Sequence, residues 1–204
     1  AWGNVVKATD PVGEVTYTYF SNGNPSRVKT NGSTVTMGYD AAGNQTKLTD
    51  PDAGTTTYTY AADGALLTQI DGRGIKTSNT YDDLGRLSSA RLGQHTVTYS
   101  YGTSGNEKLR LVKKAMGDNA IEYTHDHFGR VITEKRSIGG NGTFVFSYEY
   151  NGKNQLAKTH YPGGLEVTYS YDDNGFKTET AANGYTINKL ESYNGLVTVN
   201  LFKK

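Results

Sequence analysis

Apolar and polar residues alternate with a period of two along most of the chain, and short stretches rich in Gly, Asn and Asp break the alternation at regular intervals. Val97-Thr98-Tyr99-Ser100-Tyr101, Val167-Thr168-Tyr169-Ser170-Tyr171 and Phe144-Val145-Phe146-Ser147-Tyr148-Glu149-Tyr150 put aromatic and aliphatic side chains on one face and hydroxyl or charged ones on the other. That period belongs to a strand with one face shielded. No segment carries the apolar spacing of a helix, so none is predicted.

The interruptions are themselves periodic. Most strands end on an anchor, a Tyr placed four residues before a Gly: Tyr19 with Gly23, Tyr39 with Gly43, Tyr60 with Gly64, Tyr81 with Gly85, Tyr101 with Gly105 and Tyr171 with Gly175. Two further copies vary it, His125 with Gly129 and Tyr150 with Asn154. Asn, after Gly, adopts a left-handed backbone at least cost. The anchors step by 20, 21, 21, 20, 24, 25 and 21 residues, an internal repeat of eight copies. The Asp-x-x-Gly from Asp40 to Gly43 and from Asp82 to Gly85 fits a type I turn closed by a left-handed bulge residue. Turn chemistry recurs half a repeat later, as in Asn31-Gly32, Asp71-Gly72-Arg73-Gly74 and Pro162-Gly163-Gly164. Each repeat therefore predicts one β-hairpin, and the fold class is all-β, an antiparallel meander.

The organisation expected from the spacing is one array over residues 1–204. Repeats are regular from about 3 to 110, longer-looped over 111–180, and end in an irregular terminal hairpin over 181–204 with a turn signal at Asn194-Gly195. The extra residues of the longer steps fall to Lys113–Asp118 and Ser137–Gly142, expected as rim loops. Gly3 to Pro11 aligns with Gly43 to Pro51, so the sequence opens mid-hairpin and is expected to be part of a longer array.

Composition changes this picture little. With 204 residues the chain could bury one large β core. A net charge of +1 gives no overall footprint for nucleic acid or an anionic membrane, and no apolar run is long enough for a spanning helix. There is no Cys, which excludes disulfides and thiolate sites. Of the 16 tyrosines, seven are anchors and six more, Tyr17, Tyr58, Tyr99, Tyr123, Tyr148 and Tyr169, lie two residues earlier on the same strand face. Thirteen in register form a structural ladder. Tyr161, Tyr185 and Tyr193 stand outside it and are the candidates for stacking on a glycan.

Tyr81-Asp82-Asp83-Leu84-Gly85-Arg86-Leu87, with its near copies at Tyr39, His125 and Tyr171, resembles the YD repeat of Rhs proteins, insecticidal toxin complex subunits, bacterial wall-associated proteins and teneurins. The resemblance covers essentially the whole chain. It implies one curved, spiralling sheet, an open segment of a shell that in larger relatives encloses a C-terminal toxin, on a secreted or surface-exposed bacterial protein. Further YD repeats or cargo of the parent chain would be the partners. The core segment that follows the repeats in such proteins, with its self-cleaving aspartates, has no counterpart here, so proteolysis is not carried over.

No other chemistry competes. His125 and His127 with Asp126 could be drawn as a metal pair, but no third ligand accompanies them. The Asp82-Asp83 and Asp172-Asp173 pairs sit in turns, where Asp caps local amides. No cofactor, metal or enzymatic activity is expected. The favoured function is structural; the alternative is a carbohydrate-binding or adhesion module. A choline-type aromatic cage would need a Trp per repeat, and only Trp2 exists. Unpaired strand edges and an open apolar face would favour association of two copies near Val5, Leu196, Val197, Val199 and Leu201.

Overall fold

The computed structural model describes residues 3–193 and 196–201, and side chains as far as residue 187. Trp2 and the Asn194-Gly195 turn lie outside the described residues, as do the side chains of Tyr193, Leu196, Val197, Val199 and Leu201.

The chain divides into two units, Ala1–Val97 and Thr98–Lys204. The first holds β1 (Lys7–Asp10), β2 (Gly13–Tyr19), β3 (Pro25–Lys29), β4 (Thr34–Tyr39), β5 (Gln45–Asp50), β6 (Gly54–Tyr60), β7 (Leu66–Ile70), β8 (Lys76–Tyr81) and β9 (Leu87–Leu92). Strand β10 (His95–Tyr101) contains the division. The second unit continues with β11 (Leu111–Met116), β12 (Asn119–His125), β13 (Val131–Ile138), β14 (Gly142–Tyr150), β15 (Leu156–His160), β16 (Glu166–Tyr171), β17 (Lys177–Ala182), β18 (Tyr185–Tyr193) and β19 (Leu196–Leu201). In each unit every strand pairs antiparallel with its neighbour in sequence, giving an open all-β sheet of consecutive hairpins. One short 3-10 turn, Gly105–Glu107, is the helical element among the described residues.

Two irregularities recur in each hairpin, and the sequence showed only the first. At Gly85, φ is +74°; the Gly85 amide donates to the Asp82 carbonyl at 2.9 Å and the Asp82 amide to the Arg86 carbonyl at 2.9 Å, the expected turn and bulge. A second bulge lies at the anchor. Tyr81 faces Leu87 but Thr80 faces Ser89, so Ser88 has no opposite residue, and the same shift occurs at all eight anchors. A bulge adds local twist to a hairpin, so each repeat carries two sources of it near one rim.

The longer steps are absorbed differently from the expectation. Lys113–Met116 continue β11 and Ser137–Ile138 continue β13. The 24-residue step is taken up at the preceding turn, where Gly102, Thr103 and Ser104 supply turn chemistry. There Gly105 (φ +57°) opens the 3-10 turn, and Leu109 (φ +66°) stands where the other turns place Gly. The 25-residue step becomes strand, 8 residues in β13 and 9 in β14, because the alternation around Phe144-Val145-Phe146 continues through it.

The large β core that the length would permit does not form. Among the described residues Val167, 8% exposed, is the one buried apolar side chain. The surface is 13893 Å², against about 9400 Å² for a globular monomer of this mass. Within each unit, among the described residues, the strands form a single layer with no second layer over it. The tyrosine face is shielded only to half-burial, by lateral packing of neighbouring strands, and the hydroxyl face is open: Tyr58 and Tyr60 are half-buried while Thr57 and Thr59 are exposed.

Candidate functional site

The anchors are joined from repeat to repeat by one recurring hydrogen bond. The phenol of Tyr60 donates to the carbonyl of Gln45 at 2.8 Å, Tyr81 to Leu66 at 2.8 Å, Tyr150 to Val131 at 2.9 Å, Tyr171 to Leu156 at 2.9 Å and Tyr19 to Val5 at 2.7 Å. In every case the acceptor lies two residues beyond the turn Gly, or Asn154, of the preceding hairpin. The bulge makes this carbonyl available, because it displaces the strand register beside it. Tyr39 instead packs edge-on against Phe20, with ring centroids 5.9 Å apart. Burial raises the phenol pKa of Tyr60 and Tyr150, as expected for hydroxyls that act as donors in the wall.

His125 is also tied to the preceding turn, but by other atoms at another position. Its ring is too short to reach a backbone carbonyl of the previous hairpin. Glu107, at the end of the 3-10 turn and two residues before Leu109, extends its side chain instead: Oε2 accepts from His125 Nδ1 at 2.5 Å and Oε1 from the His125 amide at 2.8 Å. His125 is 8% exposed and buried by this contact. Burial opposes the Glu107 charge, but the His125 hydrogen bonds outweigh it and hold the carboxyl below its ordinary range. His127 does not join this pair; its ring packs on Phe128 at 3.9 Å. Among the described residues no cluster of three or more metal-ligating side chains occurs.

The turn aspartates cap amides. Asp82 Oδ1 accepts from the amides of Leu84 and Arg86, at 3.0 and 2.9 Å, and its Oδ2 holds the Arg86 guanidinium at 2.6 Å. The Arg86 side chain, then its amide, keep the Asp82 carboxyl below its usual value. Asp126 and Arg130 repeat this arrangement, and Arg130 also lies over the Tyr150 ring at 4.4 Å. At several turns the residue after the Gly or Asn reaches the next repeat. Arg130 Nη1 donates to Asn154 Oδ1 at 2.7 Å, and Gln155 Nε2 to the Gly175 carbonyl at 3.3 Å. A Cβ placed on Gly43 would lie 3.7 Å from Asn24, and one on Gly175 only 3.1 Å from Gln155. Arg110 covers Gly129 so closely that a Cβ there would clash. This contact along the rim was missed from sequence; a polar residue directly after the Gly or Asn in six of the eight copies, Ala65 and Phe176 being the exceptions, was the available signal.

Of the three tyrosines outside the ladder, the side chains of Tyr161 and Tyr185 are described, and no ring contact joins them. Tyr161, 37% exposed, packs edge-on against Phe146 at 5.7 Å, and burial together with a hydrogen bond to Tyr169 raises its pKa. Tyr185 is 69% exposed at the start of β18. An open cleft of about 360 Å³ on the first unit lies among Thr9, Asp10, Val12, Glu14 and Asn31; Lys7 holds Glu14 at 2.6 Å, and Asp10 Oδ1 accepts from the Val12 and Gly13 amides. The geometry is that of a wall held together by lateral ties.

The family model described as RHS Repeat matches residues 21–55 and 145–186. No curated protein sequence matches. Among solved structures, TcdB2-TccC3 without its hypervariable C-terminal region is similar, with a TM-score of 0.60 at 14% identity over 88% of this chain and 12% of that one. The Photorhabdus luminescens Tc holotoxin pore aligns at a TM-score of 0.45 and 17% identity, over 98% of this chain and 16% of that one. The first likeness shows a shared fold, and this chain spans about an eighth of that structure's length.

Proposed function

We propose that this chain, which carries YD/RHS repeats, is a structural stretch of wall in a larger, secreted or surface-exposed bacterial polypeptide of the toxin type, and that the wall encloses cargo belonging to the same chain. The observation that carries the reading is the phenol-to-carbonyl tie between successive hairpins, repeated at five anchors and replaced by Glu107 at a sixth. Such ties make each hairpin depend on the one before, as a continuous, curved wall requires, and they use the polar groups a catalytic site would need free. The whole of residues 1–204 is read as one array, with the eight anchors as its structural residues.

The test is limited proteolysis of the full product of the coding sequence. Cargo inside a wall resists protease while the repeats are intact and is cut when Gly129→Val opens them. Cargo cut equally fast in both proteins contradicts enclosure, as would a coding sequence with no further repeats. A glycan-binding role is favoured by the exposure of Tyr185. It predicts signal on a glycan array that disappears on conversion of Tyr161, Tyr185 and Tyr193 to Ala. Pairing of two copies through the edge strand β1, with the exposed Val5 just before it, predicts a dimer by light scattering at high concentration.

A further inference from the structure

The hairpin that takes up the 25-residue step leaves a stretch of strand edge open inside the second unit. Strand β14 runs over Gly142–Tyr150, while β15 beside it spans only Leu156–His160. On the β13 side its pairing is continuous, from Ser147 with Thr133 to Gly142 with Ile138. On the β15 side it stops at Ser147 with His160. The chain then leaves β15 at Tyr161, whose amide donates to the Leu165 carbonyl across the next turn at 2.8 Å, so residues 142–146 have a neighbouring strand on one side only.

The backbone groups left free follow from the alternation of an antiparallel ladder. Asn151, just past β14, donates its amide to the Gln155 carbonyl at 2.9 Å, so the odd-numbered residues of this strand direct their amides and carbonyls toward β15. Thr143 and Val145 continue that phase beyond the end of β15. Both are exposed, Val145 at 51%, and so is Phe144 between them. At the tip, a Cβ built on Gly140 or Gly142 would meet no described atom within 4 Å.

Strand edges are ordinarily blunted by charge or by Pro. Lys29, Arg73 and Arg91 charge the ends of other hairpins, but residues 137–148 contain neither a charged residue nor a Pro. Thr143-Phe144-Val145-Phe146 is β-branched or aromatic at every position. Such a segment is shaped to add a strand, and the strand that suits it is equally uncharged and apolar. A second copy of the same segment is that strand. Antiparallel pairing of a strand with itself has two-fold symmetry, so each copy offers the donors and acceptors that the other lacks.

We propose that residues 142–146 are a site at which two copies of this chain pair edge to edge, antiparallel, with Thr143 of each opposite Val145 of the other and Phe144 meeting Phe144 at the two-fold axis. In this register Phe144 takes a non-hydrogen-bonded position, where opposite Cα atoms lie about 4.5 Å apart, and the two rings pack on one face. The contact is short, so the pair belongs to the weak, concentration-dependent class. It uses neither β1 nor the lateral ties of the wall, and its failure would leave the wall reading intact.

The chain has no Cys, so a single introduced thiol reports the register. Phe144→Cys in the full chain, incubated with oxidised glutathione, should form a disulfide-linked dimer about tenfold faster than Leu84→Cys, because pairing holds the two thiols within reach. Leu84 is 64% exposed and lies outside the proposed contact. Thr143→Pro removes an outward amide without costing β14 a bond to β13, and should bring the rate at position 144 down to that at position 84. Val145→Glu, which faces Lys135 within its own hairpin, should do the same by setting like charges beside each other across the axis. Circular dichroism and melting temperature should be unchanged in both. Equal rates at positions 144 and 84, or a fast link that both further substitutions leave unaltered, overturns the proposal. Pairing through β1 instead would give a dimer by light scattering without a fast link at position 144, and overturns it as well.

Discussion

The two units are built from the same repeat yet fill it differently. On the hydroxyl face of the first, Arg27, Lys29, Lys47 and Arg91 stand beside Thr or Ser with no acid opposite them, and the one acid on the strands of that face, Glu14, is held by Lys7. On the same face of the second, charges are matched across strands: Glu122 lies between Lys113 at 3.0 Å and Lys135 at 3.3 Å, Lys158 meets Glu166 at 3.3 Å, and His160 meets Glu149 at 2.8 Å. The tyrosine faces differ too. The second unit sets Arg136 over Phe146 at 4.7 Å and Lys177 over Tyr169 at 5.4 Å, and replaces one phenol tie by the His125–Glu107 pair. Backbone geometry and lateral ties recur in both units, so they belong to the repeat. Charge placement does not recur, so it is open to function.

The largest expected effect separates the turns. Gly129→Val must both hold a left-handed φ of +84° and move aside the flexible end of Arg110, and should cost about 2 to 3 kcal/mol, most of it strain. Gly85→Val has space for its Cβ and bears the strain alone, about 1 to 3 kcal/mol. Gly85→Asn should cost far less, since Asn154 adopts φ +63° in the equivalent turn. Urea midpoints check the order, and equal shifts for Val and Asn at position 85 would contradict the turn.

Next is the exceptional anchor. Glu107→Ala leaves the buried His125 ring and amide without their acceptor and should cost about 1 to 3 kcal/mol, where Tyr60→Phe, losing one phenol bond, should cost about 0.5 to 1.5 kcal/mol. Because the Glu107 pKa is depressed in the folded state, its contribution is present above the unfolded carboxylate value and is lost as pH falls through the folded one. The gap between wild type and Glu107→Gln should thus be open at pH 7 and close below about pH 4. A gap independent of pH would show that the carboxylate charge plays no part.

The smallest effect tests the charged faces. Glu122→Gln should cost about 0.2 to 1 kcal/mol and lose that difference at high salt, being an exposed pair. Lys47→Gln, with no partner to lose, should be neutral or slightly stabilising through reduced repulsion. Comparable destabilisation by both would erase the distinction between the units.

Strand positions and the anchor repeat were legible because period-two alternation and a Gly four residues on are local signals. So were the turns at Asp82 and Asp126, whose Asp and Gly encode the conformation directly. The second bulge was not, because the unpaired Ser88 is chemically indistinguishable from the paired Ser89. Nor was the turn from Gly102 to Arg110: the Tyr101-to-Gly105 spacing mimics the motif, while Leu109 closes the turn with a backbone conformation that sequence disfavours for Leu. The missing core was hidden for a different reason. Alternation shows that one face is apolar but not whether a second layer covers it. The phenol ties were hinted at by tyrosines in register, yet their carbonyl partners leave no trace in sequence.

The central claim is that each hairpin is held by the one before it through the anchor side chain. Native-state hydrogen exchange on Tyr171→Phe tests it directly. Loss of the bond to the Leu156 carbonyl should lower amide protection in β15, β16 and β17, on both sides of the tie, and leave β2 to β6 unchanged. Protection that is unaltered throughout, or lowered only in the strand carrying residue 171, would contradict it.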